Sequence, residues 1–218
     1  MREEHIPEVM RILRKECRRL KTPYVTEVSE RVKDPFMVLV SCMLSLRTKD
    51  ATTREASERL FSLAKTPLEL SGLEKSVIEK AIYPVGFYRV KAAALKEVSR
   101  DIVERHSGRV PDTIEGLLKL RGVGRKTANL VVTIGYGKPG ICVDTHVHRI
   151  TNRWGLVDTK TPERTEFALR EKLPARYWIP INDLLVTWGQ NVCTPVSPFC
   201  SRCALYEYCD RAGVKKRR

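Results

Sequence analysis

The sequence predicts an all-α fold. Nearly every segment carries the start or stop signals of a helix, and no segment shows the sustained apolar and polar alternation that β-strands require. With 218 residues, the chain can bury a substantial core in one large or two small domains. The sequence contains no internal repeat and no low-complexity linker, and we expect only the tail GVKKRR, residues 213–218, to be disordered.

The first half of the chain has clear helix starts. Residues 6–20 predict a basic first helix, and Asp34-Pro35 begins the apolar run from Phe36 to Leu46. Because proline suits the first turn of a helix and the run is apolar on most sides, we expect a buried central helix here. A polar helix follows from about Asp50 to Ala64, and Thr66-Pro67 supplies the N-cap and first position of the next helix.

The second half of the chain continues the same pattern. The segment from Arg89 to His106 is amphipathic, and Gly108 after it suits the left-handed position that ends many helices. The segment Pro111 to Glu115 is typical of a capping box, with Asp112 as the cap and Glu115 reaching back. Further helices are predicted after Gly124, Asp144 and Thr161-Pro162.

The charge of the chain indicates a polyanionic partner. The formal net charge is +14 and the isoelectric point is about 9.7, so nucleic acid or acidic lipid is favoured. No apolar run approaches the roughly 18 residues of a membrane span. We therefore expect a soluble, cytoplasmic, nucleic-acid-binding protein with no membrane partner. Cys17, Cys42 and Cys142 have apolar neighbours and are expected to be reduced core residues.

Four further cysteines are compressed into one turn-rich segment near residue 200. Their spacing, C-x6-C-x2-C-x5-C, is compatible with a structural zinc ion, two disulfides or a [4Fe–4S] cluster. A compact run of four cysteines is a known form of iron–sulfur ligation, and this spacing favours the cluster. The candidate ligands are Cys193, Cys200, Cys203 and Cys209.

Residues 118–128, LKLRGVGRKTA, predict a short helix, a tight glycine turn and a new helix. Two glycines one residue apart let the backbone turn sharply and leave N–H groups at a helix start, where they can hold a phosphate. An ordinary connection between helices has the same pattern, but the surrounding basic residues favour a helix-hairpin-helix that grips DNA without reading bases. The expected contacts are Arg121, Gly122, Val123, Gly124 and Arg125, followed by Lys126.

The segment ICVDTHVHR, residues 141–149, places a carboxylate at the start of a helix. The ordinary role of Asp144 there is an N-cap. A metal site with His146 and His148 is disfavoured, because residues two apart on a helix diverge by about 200°. We expect one of the two histidines to pack or to form hydrogen bonds within the fold.

These three motifs together resemble the endonuclease III family of base-excision DNA glycosylases. The segments MLSLRTKD, residues 43–50, and VGFY, residues 85–88, also match in family order, so that the resemblance runs from about Pro35 to Asp210. It implies a two-domain helical fold: a six-helix barrel domain with the hairpin at residues 28–138, and a cluster domain made of residues 1–27 and 139–218. It also implies a [4Fe–4S] cofactor and a monomer that acts on double-stranded DNA with damaged pyrimidines or abasic sites.

The resemblance implies roles for individual residues. Lys126 matches the lysine nucleophile of members that are both glycosylase and lyase, and Asp144 matches the essential aspartate. Val85 and Phe87 match the apolar wedge that fills the space left by a flipped base, and Arg47 stands where many relatives carry glutamine.

The chain departs from the family pattern at two places, and two alternative functions remain open. The loop TPVSPF, residues 194–199, lacks the basic residues that many relatives use against phosphate, and only Arg202 stands nearby; the arginine at position 47 changes the expected preference for the opposite base. A monofunctional thymine or adenine mismatch glycosylase is the first alternative, although such relatives typically lack a lysine at the position of Lys126. A non-catalytic iron–sulfur DNA-binding protein is the second, and it leaves Lys126 and Asp144 unexplained.

Overall fold

The computed structural model of the protein describes residues 1–20 and 34–218. Within these residues it contains eleven α-helices and no β-strand, which confirms the predicted all-α fold. The last turn of α8 continues as a π-helix at Val131–Gly135. The helices are α1 (Ile6–Cys17), α2 (Pro35–Ser45), α3 (Asp50–Leu63), α4 (Pro67–Gly72), α5 (Lys75–Ile82), α6 (Tyr88–His106), α7 (Ile114–Leu118), α8 (Arg125–Leu130), α9 (Thr145–Arg153), α10 (Pro162–Lys172) and α11 (Pro180–Asn191).

The chain separates into two compact units. One unit comprises Met1–Pro23 and Pro139–Arg218, and the other comprises Tyr24–Lys138. The predicted domain boundary between residues 27 and 28 lies outside the described residues. The assignment of a barrel domain and a cluster domain therefore stays a prediction.

Helix α2 is the centre of the unit Tyr24–Lys138. Asp34 caps it, since its Oδ1 accepts hydrogen bonds from the N–H groups of Phe36 at 2.8 Å and Met37 at 3.0 Å. Seven residues in a row, from Val38 to Leu44, are buried, as the apolar run predicts. The π-helix packs so closely on α2 that a Cβ added to Gly135 lies 3.0 Å from the Cα of Pro35. A larger residue at this position would therefore require Pro35 to shift.

The other unit is built on an apolar stripe of α1. Ile6, Val9, Met10 and Leu13 are spaced along one face and are nearly inaccessible to solvent. They pack in one core with apolar residues of α9 and α11, among them Trp188. Burial of each such side chain stabilises the fold by about 1.5–3 kcal/mol. The first and last segments of the chain are thereby held in a single unit.

Most predicted helix starts are confirmed. Thr66 and Glu69 form a reciprocal capping box at α4, and the side chain of Thr161 accepts from the N–H of Arg164 at 3.3 Å at α10. Helix α6 ends at His106, and its C-cap Ser107 is followed by Gly108 at φ +75°, as the glycine predicts.

Three expectations are wrong in detail. The cap of α7 is Thr113, whose side chain accepts from Gly116, whereas Asp112 forms an ion pair with Lys138. Helix α1 ends at Cys17 rather than at residue 20. The tail is ordered at Arg218, whose N–H donates to the carbonyl of Pro198 at 2.8 Å. None of the helices in the described residues is long and apolar enough to cross a membrane.

Candidate functional site

The glycine turn lies between α7 and α8, as the hairpin motif predicts. Gly122 has φ +77°, a left-handed conformation that residues with a side chain rarely adopt. Val123 is buried and its N–H donates to the carbonyl of Leu120 at 3.2 Å, which fixes the turn to the core. Gly124 is the N-cap of α8, and a Cβ added to it meets no atom of the described residues within 4 Å. The start of α8 therefore has room for an anion.

The basic residues around this turn have different surroundings. Arg121 is exposed and forms an ion pair of 2.5 Å with Glu97 of α6. Arg125 and Lys126 occupy the first turn of α8 and are half-buried. Cys42 of α2 lies near Lys126: burial raises the pKa of its thiol to about 12, and the charge of Lys126 acts on the thiol in the opposite direction. Lys126 thus stands at the border of the core of its unit.

Asp144 belongs to the other unit and is the N-cap of α9. It is buried, and its Oδ1 accepts hydrogen bonds from the N–H groups of His146 at 2.8 Å and Val147 at 2.9 Å. The ordinary role of this aspartate is therefore confirmed. Because one oxygen makes both capping bonds, the cap does not occupy Oδ2. Any catalytic role of Asp144 is compatible with its place at the helix start and stays a prediction.

Both neighbouring histidines make hydrogen bonds within the fold, whereas the sequence predicted this for one of them. Nδ1 of His148 lies 2.7 Å from the hydroxyl of Thr165. Nδ1 of His146 lies 3.1 Å from a guanidinium nitrogen of Arg149, and a Cβ added to Gly189 is only 2.3 Å from that ring nitrogen. Each histidine is thus engaged in its own packing contact.

The segments MLSLRTKD and VGFY meet in the unit Tyr24–Lys138. The guanidinium of Arg47 lies 5.4 Å from the ring centre of Phe87, and both residues have left-handed backbones, with φ +55° and φ +59°. A Cβ added to Gly86 lies 2.8 Å from the carbonyl oxygen of Arg47, so this close approach requires glycine. Phe87 is 61% exposed, whereas Val85 is 1% exposed. The structure thus places Phe87 at the surface and Val85 in the core beneath it.

Lys91 holds these two segments together, although no sequence motif includes it. Its ammonium group donates to the carbonyls of Leu44 at 2.7 Å and Leu46 at 2.6 Å and to the hydroxyl of Thr48 at 3.2 Å. Burial lowers the pKa of Lys91 to about 8. A lysine in the first turn of an amphipathic helix looks like an ordinary solvated residue, because its acceptors lie more than 40 positions away in the sequence.

The four cysteines of the C-terminal segment lie around one cavity. None of them forms a disulfide. Burial, supported by the neighbouring thiols, raises the pKa of Cys203 to about 11, and burial also raises the pKa of Cys209. No group of three His, Cys, Asp or Glu side chains in the described part of the chain is arranged to hold a single metal ion. The shared cavity is lined by Cys193, Cys200, Cys203 and Cys209, together with Trp188, Phe199 and Tyr206.

The donor set of this cavity fits an iron–sulfur cluster. Four thiols are the usual ligands of a [4Fe–4S] cluster, in which each binds one iron. The remaining walls are largely apolar and include four aromatic residues, and Nη1 of Arg153 donates to Sγ of Cys193 at 3.3 Å. Hydrogen bonds to cysteine sulfur and an apolar wall are features that tune such clusters.

Comparison with known proteins identifies the family. The model of the HhH-GPD superfamily of base excision DNA repair proteins matches residues 40–175. An endonuclease III from Thermotoga maritima is 50% identical over 177 residues, which are 81% of this chain and 83% of that protein. The chain spans about half the length of two Arabidopsis thaliana homologues that it also matches.

Solved structures give the same result. A non-covalent endonuclease III–DNA complex has a TM-score of 0.85 and 29% identity, covering 97% of this chain and 96% of the other. A trapped endonuclease III–DNA covalent intermediate, an estranged-adenine complex, has a TM-score of 0.84 and 28% identity, covering 97% of both chains.

The fold and the hairpin thus define a DNA glycosylase of base excision repair. Within the HhH-GPD superfamily, the chain belongs to the endonuclease III family. DNA is accordingly its ligand, and its enzyme class is glycosylase and lyase.

Proposed function

We propose that the protein removes oxidised or ring-saturated pyrimidines, such as thymine glycol, from double-stranded DNA and then cleaves the strand at the abasic site. The observation that carries this proposal is the place of Lys126 in the first turn of α8, directly after the glycine turn. The trapped covalent intermediate among the similar structures supports a covalent step between protein and DNA. We further infer a monomer that acts on the nucleoid in the cytoplasm.

The first step is extrusion of the damaged base, because its sugar cannot be attacked while the base is stacked in the duplex. We infer that Phe87 fills the space that the extruded base leaves in the duplex, because Phe87 is exposed and has a left-handed backbone conformation. Arg47, stacked beside Phe87, faces the opposite base in this assignment. A guanidinium donates hydrogen bonds and accepts none, so it selects acceptor atoms on that base. Val85 supports the turn from the core.

The second step is nucleophilic displacement. The neutral amine of Lys126 attacks C1′ of the extruded nucleotide, and the glycosidic bond breaks with its electron pair leaving on the base, which takes up a proton. The sugar ring then opens to give a Schiff base between Lys126 and C1′. Loss of a proton from C2′ drives β-elimination, in which the C3′–O3′ bond breaks and phosphate leaves. Water finally hydrolyses the Schiff base and restores the lysine.

Asp144 supplies the negative charge that this chemistry requires. Positive charge develops on the sugar as the glycosidic bond breaks, and a carboxylate stabilises such a transition state. A carboxylate can also accept the proton that Lys126 must lose before it attacks. Both roles need a charged and fixed carboxylate. The two capping bonds to Oδ1 support this assignment, because they hold the group in one orientation.

The cysteine segment has a structural part in this proposal. Cys193, Cys200, Cys203 and Cys209 would hold the [4Fe–4S] cluster that is typical of the family. When bound, the cluster supplies four iron–thiolate links that tie the segment together. The residues around it then act as a rigid support for the C-terminal part of the chain.

Trapping with borohydride on an abasic-site duplex tests the proposal. Borohydride reduces a Schiff base to a stable amine, so the wild-type protein should become covalently linked to DNA and Lys126→Ala should not. Arg125→Ala, which removes a neighbouring charge and keeps Lys126, is the matched control and should still trap. Base release from a thymine glycol duplex should be lost in Lys126→Ala. If Lys126→Ala still forms the adduct, another amine is the nucleophile; if wild type never forms it, the protein is a monofunctional glycosylase.

A further inference from the structure

The C-terminal tail forms a basic surface over the cysteine segment. Residues 200–218 contain six basic and two acidic residues, so this short stretch carries a net charge of +4 of the total of +14. We call the six basic residues the tail patch. All of its members except Arg211 are exposed. The tail patch consists of Arg202, Arg211, Lys215, Lys216, Arg217 and Arg218.

We propose that the tail patch is a second phosphate-binding surface of this protein, separate from the glycine hairpin, and that its ligand is the backbone of duplex DNA. This proposal depends on the proposed function in one respect, namely that the protein binds DNA. The evidence for it is that contacts within the protein hold the arginines of the tail patch in place.

The tail is attached to the cysteine segment by backbone hydrogen bonds. The N–H of Arg218 donates to the carbonyl of Pro198 at 2.8 Å, and the N–H of Ser201 donates to the carbonyl of Arg218 at 2.9 Å. Nε of Arg218 also donates to the carbonyl of Ser197 at 3.1 Å. The loop 194–199 has no charged side chain of its own. The tail therefore places positive charge beside a loop that has none.

Aromatic rings orient the guanidinium groups. Those of Arg202 and Arg218 lie 3.8 Å and 3.9 Å from the ring centre of Phe199. Two such groups cannot share one face of a ring at that distance, so the ring is held between them. The guanidinium of Arg211 lies 4.2 Å from the ring centre of Tyr206, and that of Arg217 lies 5.9 Å away and donates to the hydroxyl at 3.0 Å.

This stacking preserves the ability to bind phosphate. A stacked guanidinium uses its flat face, and its N–H groups project from the edge in the fork that matches phosphate oxygens. Across residues 1–20 and 34–218, the ion pairs of the structure include none of the four arginines. Arginines that are ordered in advance lose less entropy on binding. The patch is therefore suited to a polyanion rather than to a structural ion pair.

Binding of a fluorescent duplex with a stable abasic analogue, measured over a range of salt concentrations, tests the proposal. Arg202→Gln and Arg218→Gln should each weaken binding about threefold, and the double variant about tenfold, alike for damaged and undamaged duplexes. Each lost phosphate contact should lower the slope of log affinity against log salt by about 1. Arg176→Gln is the control, because Arg176 also stacks on an aromatic ring, 4.9 Å from the centre of Tyr177, outside the patch.

Three outcomes would overturn the proposal. An equal loss of DNA affinity in Arg176→Gln would show that net charge alone causes the effect. Lower thermal stability or iron content with unchanged affinity would show that the arginines only secure the cysteine segment. An unchanged salt slope would exclude a phosphate contact. Borohydride trapping by the same variants at saturating DNA separates this proposal from the proposed function, because the tail variants should trap fully even where their affinity is reduced.

Discussion

At the scale of single residues, Asp144 has a structural and a proposed chemical role that substitution can separate. Asp144→Asn keeps an oxygen for the two capping bonds and removes the charge, whereas Asp144→Ala removes both. We expect Asp144→Ala to lower the free energy of unfolding by about 1 kcal/mol and Asp144→Asn to change it by a few tenths. Single-turnover base release should fall by about two to three orders of magnitude in both. Near-normal base release in Asp144→Asn would leave the residue as a helix cap alone.

Phe87 and Val85 are two residues apart in sequence and differ sixtyfold in exposure, so their substitutions should differ in kind. Phe87→Ala should leave stability within about 0.5 kcal/mol and lose activity on a well-paired lesion more than on a preformed abasic site, where no base has to be unstacked. Val85→Ala opens a cavity and should destabilise the protein by about 2 kcal/mol without this selectivity. Stability by denaturant and single-turnover rates on both substrates distinguish them. Equal losses on both substrates in Phe87→Ala would contradict the extrusion role.

At the scale of elements, the turn between α7 and α8 contains two glycines with different constraints. Gly122→Ala forces a side chain into a left-handed conformation and should cost about 1–2 kcal/mol of stability. Gly124 has φ −93° and open space, so Gly124→Ala should leave stability nearly unchanged. Both changes should weaken binding to all duplexes, because a backbone contact carries no sequence information. Normal affinity in Gly124→Ala would show that phosphate does not approach the backbone at this point.

Lys91 should make the stability of the contact between α2 and α6 dependent on pH. An unfolded lysine has a pKa of about 10.4, and burial lowers that of Lys91 to about 8 in the folded protein. Between these values the unfolded chain binds more protons than the native one, so native stability gains with rising pH. The difference in free energy of unfolding between wild type and Lys91→Met should therefore change in favour of wild type from about pH 8 to pH 10. A constant difference would mean that Lys91 stays charged throughout.

The elements show which features were predictable from sequence. Local signals placed the starts of α2, α4, α9 and α10, because each has a cap residue whose partners lie within three positions. The cap of α7 was misplaced by one residue because Asp112 and Thr113 are both good caps, and the ion pair with Lys138 decides between them. Helix α5 was not predicted, since Glu74 at its start makes no side-chain cap bond.

Functional residues, like helix starts, were predictable where the signal is local in sequence. The turn at Gly122 and Gly124 and the gathering of the four cysteines were predictable because each is a local pattern, and their roles stay predictions. Lys91 was not, because its three acceptors come from a distant segment. The order of the tail was missed for a related reason. A run of basic residues favours disorder, and the contacts that order Arg217 and Arg218 come from outside the tail: the rings of Phe199 and Tyr206 and backbone hydrogen bonds to the loop 194–199.

At the scale of the whole molecule, the two compact units carry different parts of the proposed chemistry. The unit Tyr24–Lys138 contains the glycine turn, Lys126 and the exposed Phe87. The unit Met1–Pro23 and Pro139–Arg218 contains Asp144, the cysteine segment and the tail patch. In the two proposals together, both units contribute basic groups to DNA binding, which would account for the excess of positive charge beyond the hairpin.

The proposed cluster should stabilise the unit that contains the cysteine segment, Met1–Pro23 and Pro139–Arg218. We expect about four irons per chain in anaerobically purified protein. Cys203→Ala should lose iron and melt at a lower temperature, because the segment 193–209 then lacks one of its four links. Cys142→Ala is the matched control: Cys142 is buried outside the segment, so the variant should keep its iron and lose only about 1 kcal/mol of stability. Iron and sulfide analysis and thermal melting test this expectation. One zinc per chain and no iron, in protein made with ample iron, would assign the four thiols to a zinc site instead.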